Sequence, residues 1–267
     1  MKPILIFDYD GTLHETMRIY APAIRKVVRW LKDSCGVSVE VPPDQRISSW
    51  LGMNTADMWK DFMPELPEDL KKKAGKRVGD FMLEGLRTGR GAWYSGVPEM
   101  LDTFSGEGYS MAVLSNCGIG YAKAHWDTFS MDRWFTAFFP CECWDNAPKT
   151  EIMADIARDF GAAVKRTPVR RKTAGEMSVS GTFAREKQAD MKPAGSSAEH
   201  FIVIGDRASD LGGAASAGAP FIGCLYGYGS RGELQGAAEL VKAPSEIPDA
   251  VRKTEKSVSG RPQRGSV

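Results

Sequence analysis

Pro3-Ile4-Leu5-Ile6-Phe7-Asp8-Tyr9-Asp10-Gly11-Thr12 is an apolar run that ends in two carboxylates two residues apart. A short apolar run bounded by a turn reads as a buried strand. Acidic groups at its end then lie at the carboxyl edge of a sheet, where open α/β folds place their chemistry. Two carboxylates there can divide a hydrolysis between them, one as nucleophile and the other as general acid and then base. Gly11 lets the chain leave the strand sharply, and Thr12 offers a hydroxyl and a backbone N–H to a bound anion. Taken alone, these residues also admit a plainer reading, a strand followed by an Asx-type turn.

Three further motifs follow in chain order. Met111-Ala112-Val113-Leu114 ends in Ser115-Asn116, Lys149 precedes a helix-like segment from Glu151 to Phe160, and Phe201-Ile202-Val203-Ile204 ends in Gly205-Asp206, with Asp210 four residues on. Each has a local explanation by itself: Ser115 or Asp206 as a helix cap, Lys149 as a solvated charge. Their joint occurrence, in this order and at strand ends, separates a site from coincidence.

With FDYDGT (Phe7 to Thr12), LSN (Leu114 to Asn116), Lys149 and IGDRASD (Ile204 to Asp210), the chain resembles the haloacid dehalogenase superfamily, in its phosphoglycolate-phosphatase-like branch with a helical cap. GVPEML (Gly96 to Leu101), AGAP (Ala217 to Pro220) and YGYGSRGEL (Tyr226 to Leu234) support the likeness, which spans nearly all of residues 1 to 248. The resemblance implies a Mg²⁺-dependent phosphatase that works through an aspartyl-phosphate. Asp8 would be the nucleophile and Asp10 the general acid and base, with Lys149 and Ser115 completing the catalytic set. Thr12, Ser115, Asn116 and Lys149 would bind the phosphoryl group. Asp8, the backbone carbonyl of Asp10, and Asp206 would hold the metal, with Asp210 supporting Lys149 or a metal-bound water. Lys123 and Lys165 are the competing lysines. A phosphomutase of the same family and a non-catalytic binding protein are the alternatives, whereas a hydrolytic dehalogenase lacks the second aspartate. The implied substrate is a small phosphorylated metabolite, with phosphoglycolate and sugar phosphates as candidates.

The implied fold is α/β: a three-layer, parallel-sheet, Rossmann-like core with a small α-helical cap domain inserted after the first strand. The chain of 267 residues is long enough for both. Tyr20, Ile24, Val27, Val28 and Leu31 recur at helical spacing, and further helices are predicted over Ile47 to Met63 and about Glu68 to Leu86. Residues 15–92 thus read as the helical cap, and residues 1–14 and 93–248 as the core, where strand and helix alternate. Arg46, Trp50, Asn54 and Lys60 are the cap residues proposed to choose the substrate, a cation there pairing with a carboxylate or second phosphate. His14 reads as a loop residue beside the site.

Residues 165–199 and the 249–267 tail read as flexible segments outside the core. The insert carries eight Lys or Arg against four Asp or Glu, and residues 252–267 carry five against one, so each is net +4. With one aromatic residue in the insert, Phe183, nucleic acid is not expected as a partner. No apolar stretch approaches bilayer length and no leader pattern precedes Asp8, so neither a membrane partner nor export is expected. Five scattered cysteines, at 35, 117, 141, 143 and 224, read as thiols in a reducing, cytoplasmic compartment. Cys141-Glu142-Cys143 is too tightly spaced for the usual zinc site. Oligomeric state is not legible in the sequence.

Overall fold

The first strand, β1 (Ile4–Phe7), is buried along its whole length. That is what a parallel strand covered on both faces requires, and Leu5 and Phe7 pack into one apolar cluster while Ile4 and Ile6 pack into another. The computed structural model describes residues 2–171 and 201–259. In chain order the elements are β1, α1 (Met17–Cys35), α2 (Asp44–Ser48), α3 (Thr55–Phe62), α4 (Glu68–Arg87), α5 (Val97–Gly106), β2 (Met111–Ser115) and α6 (Ile119–Thr128). They continue with β3 (Ala137–Pro140), α7 (Lys149–Arg158), α8 (Phe160–Arg166), β4 (Phe201–Gly205), α9 (Ala208–Ser216), β5 (Phe221–Cys224), β6 (Glu239–Val241) and α10 (Ile247–Ser259).

The six strands form one parallel sheet in the order β3-β2-β1-β4-β5-β6. The order reverses beside β1, so the carboxyl ends of β1 and β4 lie next to each other at the switch point, where doubly wound sheets bind ligands. Asp8 N–H donates to the Ile204 carbonyl at 2.8 Å, which sets the end of β1 against the end of β4.

Helices α1 to α4 build a separate apolar cluster. Tyr20, Ile24, Val27, Val28 and Leu31 of α1 are all buried in it, as their spacing predicts. The helical region predicted from Ile47 to Met63 holds two helices, α2 and α3, with Gly52 at a left-handed φ of 90° between them. The chain leaves the sheet and returns to it along paired segments. Glu15 N–H donates to Ala92 O and Tyr94 N–H to Leu13 O, both at 2.9 Å.

Two boundaries differ from the sequence reading. The segment 165–199 does not begin as a free insert: α8 runs to Arg166, the Thr167 hydroxyl donates to Phe138 O at 2.8 Å, and Val169 is buried in the main core with its carbonyl taking Phe138 N–H. The remainder of that segment lies outside the described residues. The 249–267 tail begins as a helix. In α10, Ile247, Ala250, Val251 and Thr254 are buried, and their three- and four-residue spacing is a helical face that the basic composition obscured. Strand β6 was also unread, being three residues long. Replacing Ile247, wholly buried in the main core, by Ala should cost about 2–5 kcal/mol, measured by urea unfolding. A loss below ~0.5 kcal/mol, the ordinary surface range, would show α10 to be peripheral.

Candidate active site

At the ends of β1 and β4 and the start of α7, four charged side chains meet under cover. Asp8, Asp206, Asp210 and Lys149 are all buried. The Lys149 ammonium lies 2.5 Å from Asp8 Oδ1 and 2.5 Å from Asp210 Oδ1. It reaches them because Lys149 opens α7, which packs against α9, the helix that carries Asp210. Lys123 and Lys165 are exposed, so Lys149 is the lysine that the fold brings to Asp8.

The Asp8, Asp206 and Asp210 carboxylates offer oxygen atoms within 4.8 Å of one another. Burial, and then Asp210, push the Asp8 carboxyl well above the usual carboxylate range against the pull of Lys149. Asp206 is pushed up to about 6 by the same causes. Burial disfavours the Lys149 charge, yet Asp210 and Asp8 outweigh it and hold the ammonium protonated. Three buried carboxylates with one cation leave a local charge near −2 when ionised. An all-oxygen donor set with that deficit fits a hard divalent ion, Mg²⁺ rather than zinc.

Asp206 is held tightly. Thr12 donates its hydroxyl to Oδ1 at 3.3 Å and Tyr228 its backbone N–H to Oδ2 at 2.6 Å. Two glycines make room: a Cβ at Gly11, where φ is +103°, or at Gly227 would fall 2.4 Å from Asp206 Oδ2. The sequence reading has Thr12 offer a hydroxyl and a backbone N–H to a bound anion, and the structure shows its hydroxyl on Asp206. Its hydroxyl is buried and spent on Asp206, so its part is to orient a carboxylate.

Asp10 has a different setting. Its Oδ1 accepts the Thr16 hydroxyl at 2.6 Å and the Tyr121 hydroxyl at 2.7 Å, while Ser115 Oγ lies 3.5 Å from Oδ2. Behind it, His14 Nδ1 is 2.9 Å from Thr16 Oγ1. Burial raises the Asp10 carboxyl, but donors from His14, Thr16 and Tyr121 outweigh it and hold it below its ordinary value. His125, packed against Tyr121 with ring centroids 4.0 Å apart, is driven by burial down to about 3 and is neutral. Thr16 and Tyr121 escaped the sequence reading, since neither lies in a strand-end motif.

A cavity of about 240 Å³ opens above these groups, between the sheet edge and the α1–α4 unit, with Asp8, Asp10, Ser115, Asn116 and Lys149 in its lining. Asn116 Nδ2 is engaged with the Gly52 carbonyl at 3.1 Å. Arg207 Nη1 donates to the Leu51 carbonyl and its Nε to Glu233 Oε1 at 2.8 Å. Of the four residues predicted to choose the substrate, Trp50 alone lines the cavity. Arg46 pairs with Asp61 at 2.7 Å, Asn54 caps α3 by accepting Asp57 N–H at 2.9 Å, and Lys60 is exposed. Arg46, Asn54 and Lys60 thus lie outside the cavity lining.

A doubly wound sheet with a buried carboxylate and ammonium cluster at its switch point is the arrangement of an α/β enzyme. The chain belongs to the haloacid dehalogenase-like hydrolases, matching that family over residues 5–168, and a HAD-hydrolase-like pattern covers residues 146–254. It is therefore a hydrolase. A 5'-nucleotidase of Pseudomonas aeruginosa is 26% identical over 238 residues, covering 87% of each chain. Among solved structures, a predicted phosphoglycolate phosphatase from Haemophilus somnus superposes with TM-score 0.67 at 19% identity, over 93% of this chain and 97% of that one. A predicted phosphatase from Clostridium acetobutylicum gives 0.64 at 20% identity, over 95% and 99%. These two likenesses bear on the fold.

Proposed function

We propose that the protein is a Mg²⁺-dependent phosphoric monoester hydrolase acting on a small phosphorylated metabolite through an aspartyl-phosphate on Asp8. The observation that carries this reading is the buried Asp8–Lys149–Asp210 bridge, with Asp206 alongside and a separately held Asp10, of which Asp8, Asp10 and Lys149 line the cavity. Asp8 and Asp206 would hold the metal together with the Asp10 carbonyl, and when bound it supplies a Lewis acid that offsets repulsion between carboxylate and phosphate. Residues 15–92 would act as the cap that excludes water from the site. The five cysteines are free thiols, in keeping with a reducing, cytoplasmic setting.

The residues divide the reaction as follows. An Asp8 oxygen attacks phosphorus, the bond from phosphorus to the leaving oxygen breaks, and Asp10 gives that oxygen its proton. A water then attacks phosphorus and passes a proton to Asp10, the Asp8–phosphorus bond breaks, and orthophosphate leaves. Asp10 Oδ1 is occupied by Thr16 and Tyr121, so the travelling proton resides on Oδ2. Lys149 holds Asp8 in place, and Ser115 stands at the phosphoryl side of Asp10.

The test is orthophosphate release from p-nitrophenyl phosphate in Mg²⁺, with acid-quench trapping of phosphate on Asp8. A chain that hydrolyses the ester without labelling Asp8 would remove the covalent step. Tyr121→Phe deletes one donor to the ionised form of Asp10. Asp10 should then bind its proton more tightly, moving its limb of the pH–kcat profile upward. The rate should fall about tenfold, a part of the ~10²–10⁴ that a general acid supplies. An unmoved profile would show that Tyr121 serves packing alone.

A further inference from the structure

The cavity has two kinds of wall. Asp8, Asp10, Ser115 and Lys149 form its foot, whereas Tyr20, Trp50, Met53, Met58, Val78 and Met82 line the side that the α1–α4 unit provides. Gly75 and Gly79 sit one turn apart on α4 in the same wall. A Cβ at Gly79 would meet nothing within 4 Å, so the space over that turn is open. At about 240 Å³ the cavity exceeds the roughly 150 Å³ that accepts a benzene ring, leaving room for a phosphoryl group and a ring-sized body together. Unbranched methionines suit such a body because they adjust to its outline.

Charge settles the class of substrate. Among the described residues, the cations lining the cavity are Lys149 and Arg207. The Lys149 ammonium is shared between Asp8 and Asp210, and the Arg207 guanidinium between Glu233 and the Leu51 carbonyl. Arg46 and Lys60 are outside the lining. A second anionic group on the substrate would therefore enter a wall of methionine, valine and aromatic carbon in which the lining cations, Lys149 and Arg207, are already paired, which is costly. A sugar would find few free hydroxyl partners there: Thr16 and Tyr121 are committed to Asp10 and Asn116 to the Gly52 carbonyl, which leaves Thr55, Ser209 and Tyr20.

We propose that this site selects phosphate monoesters of uncharged alcohols with a bulky, largely apolar body, and rejects those that carry a second anion. The proposal rests on the phosphatase reading and narrows it. Nucleoside monophosphates meet the charge condition, and phosphoglycolate does not.

The experiment compares kcat/KM for phenethyl phosphate and phosphoglycolate on the full chain in Mg²⁺. Both are esters of primary alcohols, and the glycolate oxygen is the better leaving group, so intrinsic reactivity works against the expected result. Phenethyl phosphate should be preferred by about tenfold or more, through KM. Met82→Arg places a guanidinium in the wall and should lower that preference at least about tenfold by improving phosphoglycolate. Gly79→Leu fills open space with a better helix former and should raise KM for phenethyl phosphate about tenfold, with a smaller effect on phosphoglycolate. Equal or inverted preference in the wild type overturns the proposal, as does an equal effect of Gly79→Leu on both esters. Absence of orthophosphate from these two esters and from p-nitrophenyl phosphate takes down the phosphatase reading, and the proposal with it.

Discussion

Asp8→Asn leaves a folded protein whose turnover falls by roughly 10⁴-fold or more, the scale on which loss of a covalent nucleophile is felt. The fold survives because the exchange conserves volume and removes a charge that the site holds at a cost. Asp8 is buried, and both desolvation and the neighbouring Asp210 disfavour its ionised form. Lys149 keeps Asp210 as a partner at 2.5 Å, so the substitution strands no buried cation. The metal-free variant should accordingly melt no lower than the wild type. Asp10→Asn should differ in kind, slowing esters with poor leaving groups most, because the lost group is the general acid. Circular dichroism and melting confirm folding, and single-turnover kinetics measure the rest. Near wild-type turnover by folded Asp8→Asn would end the covalent mechanism.

What the sequence makes legible is local, and the rest depends on which elements meet. The strand ends at Asp8, Ser115 and Asp206 are readable because apolar runs stop abruptly at polar residues, and parallel pairing then aligns those ends along one edge. The buried face of α1 is readable for the same reason, in period 3.6 instead of 2. The grip on Asp10 is not, since Thr16 and Tyr121 lie 6 and 111 residues from it and only the fold brings their hydroxyls to one oxygen. Composition misled at α10, where basic residues on the outer face hid an apolar stripe. It misled again at Thr167 and Val169, two buried residues within a polar stretch. Of the candidates Arg46, Trp50, Asn54 and Lys60, Trp50 is in the cavity lining, beside methionines and glycines that carry no chemical signature in the sequence.

Mg²⁺ should raise the melting temperature, and by a smaller margin as the pH falls through about 6. Burial and the neighbouring Asp210 push the Asp206 carboxyl up to about 6 in the folded protein, against 3.8 for an ordinary aspartate. Its folded value lies above its unfolded one. The stabilisation from its bound proton is therefore fully present below the ordinary carboxylate range and is lost as pH rises through about 6. Asp8, shifted in the same direction, adds to the effect. Near neutral pH the metal-free site therefore carries like charges without protons to relieve them, and a bound cation recovers that free energy. At pH 5 protons already occupy the site and compete with the cation. Differential scanning fluorimetry at pH 7.5 and pH 5, with and without Mg²⁺, isolates the effect from other titrations, because each pair shares its pH. Asp206→Asn should abolish most of the Mg²⁺ increment at pH 7.5, and chelator should abolish activity in the wild type. Calcium should bind and stabilise yet suppress turnover, since it accepts more ligands at longer distance and lets Asp8 engage it through both oxygens, away from the line of attack. An equal Mg²⁺ increment at both pH values, retained in Asp206→Asn, would remove Asp206 from the metal site, and full activity in chelator would remove the metal from the chemistry.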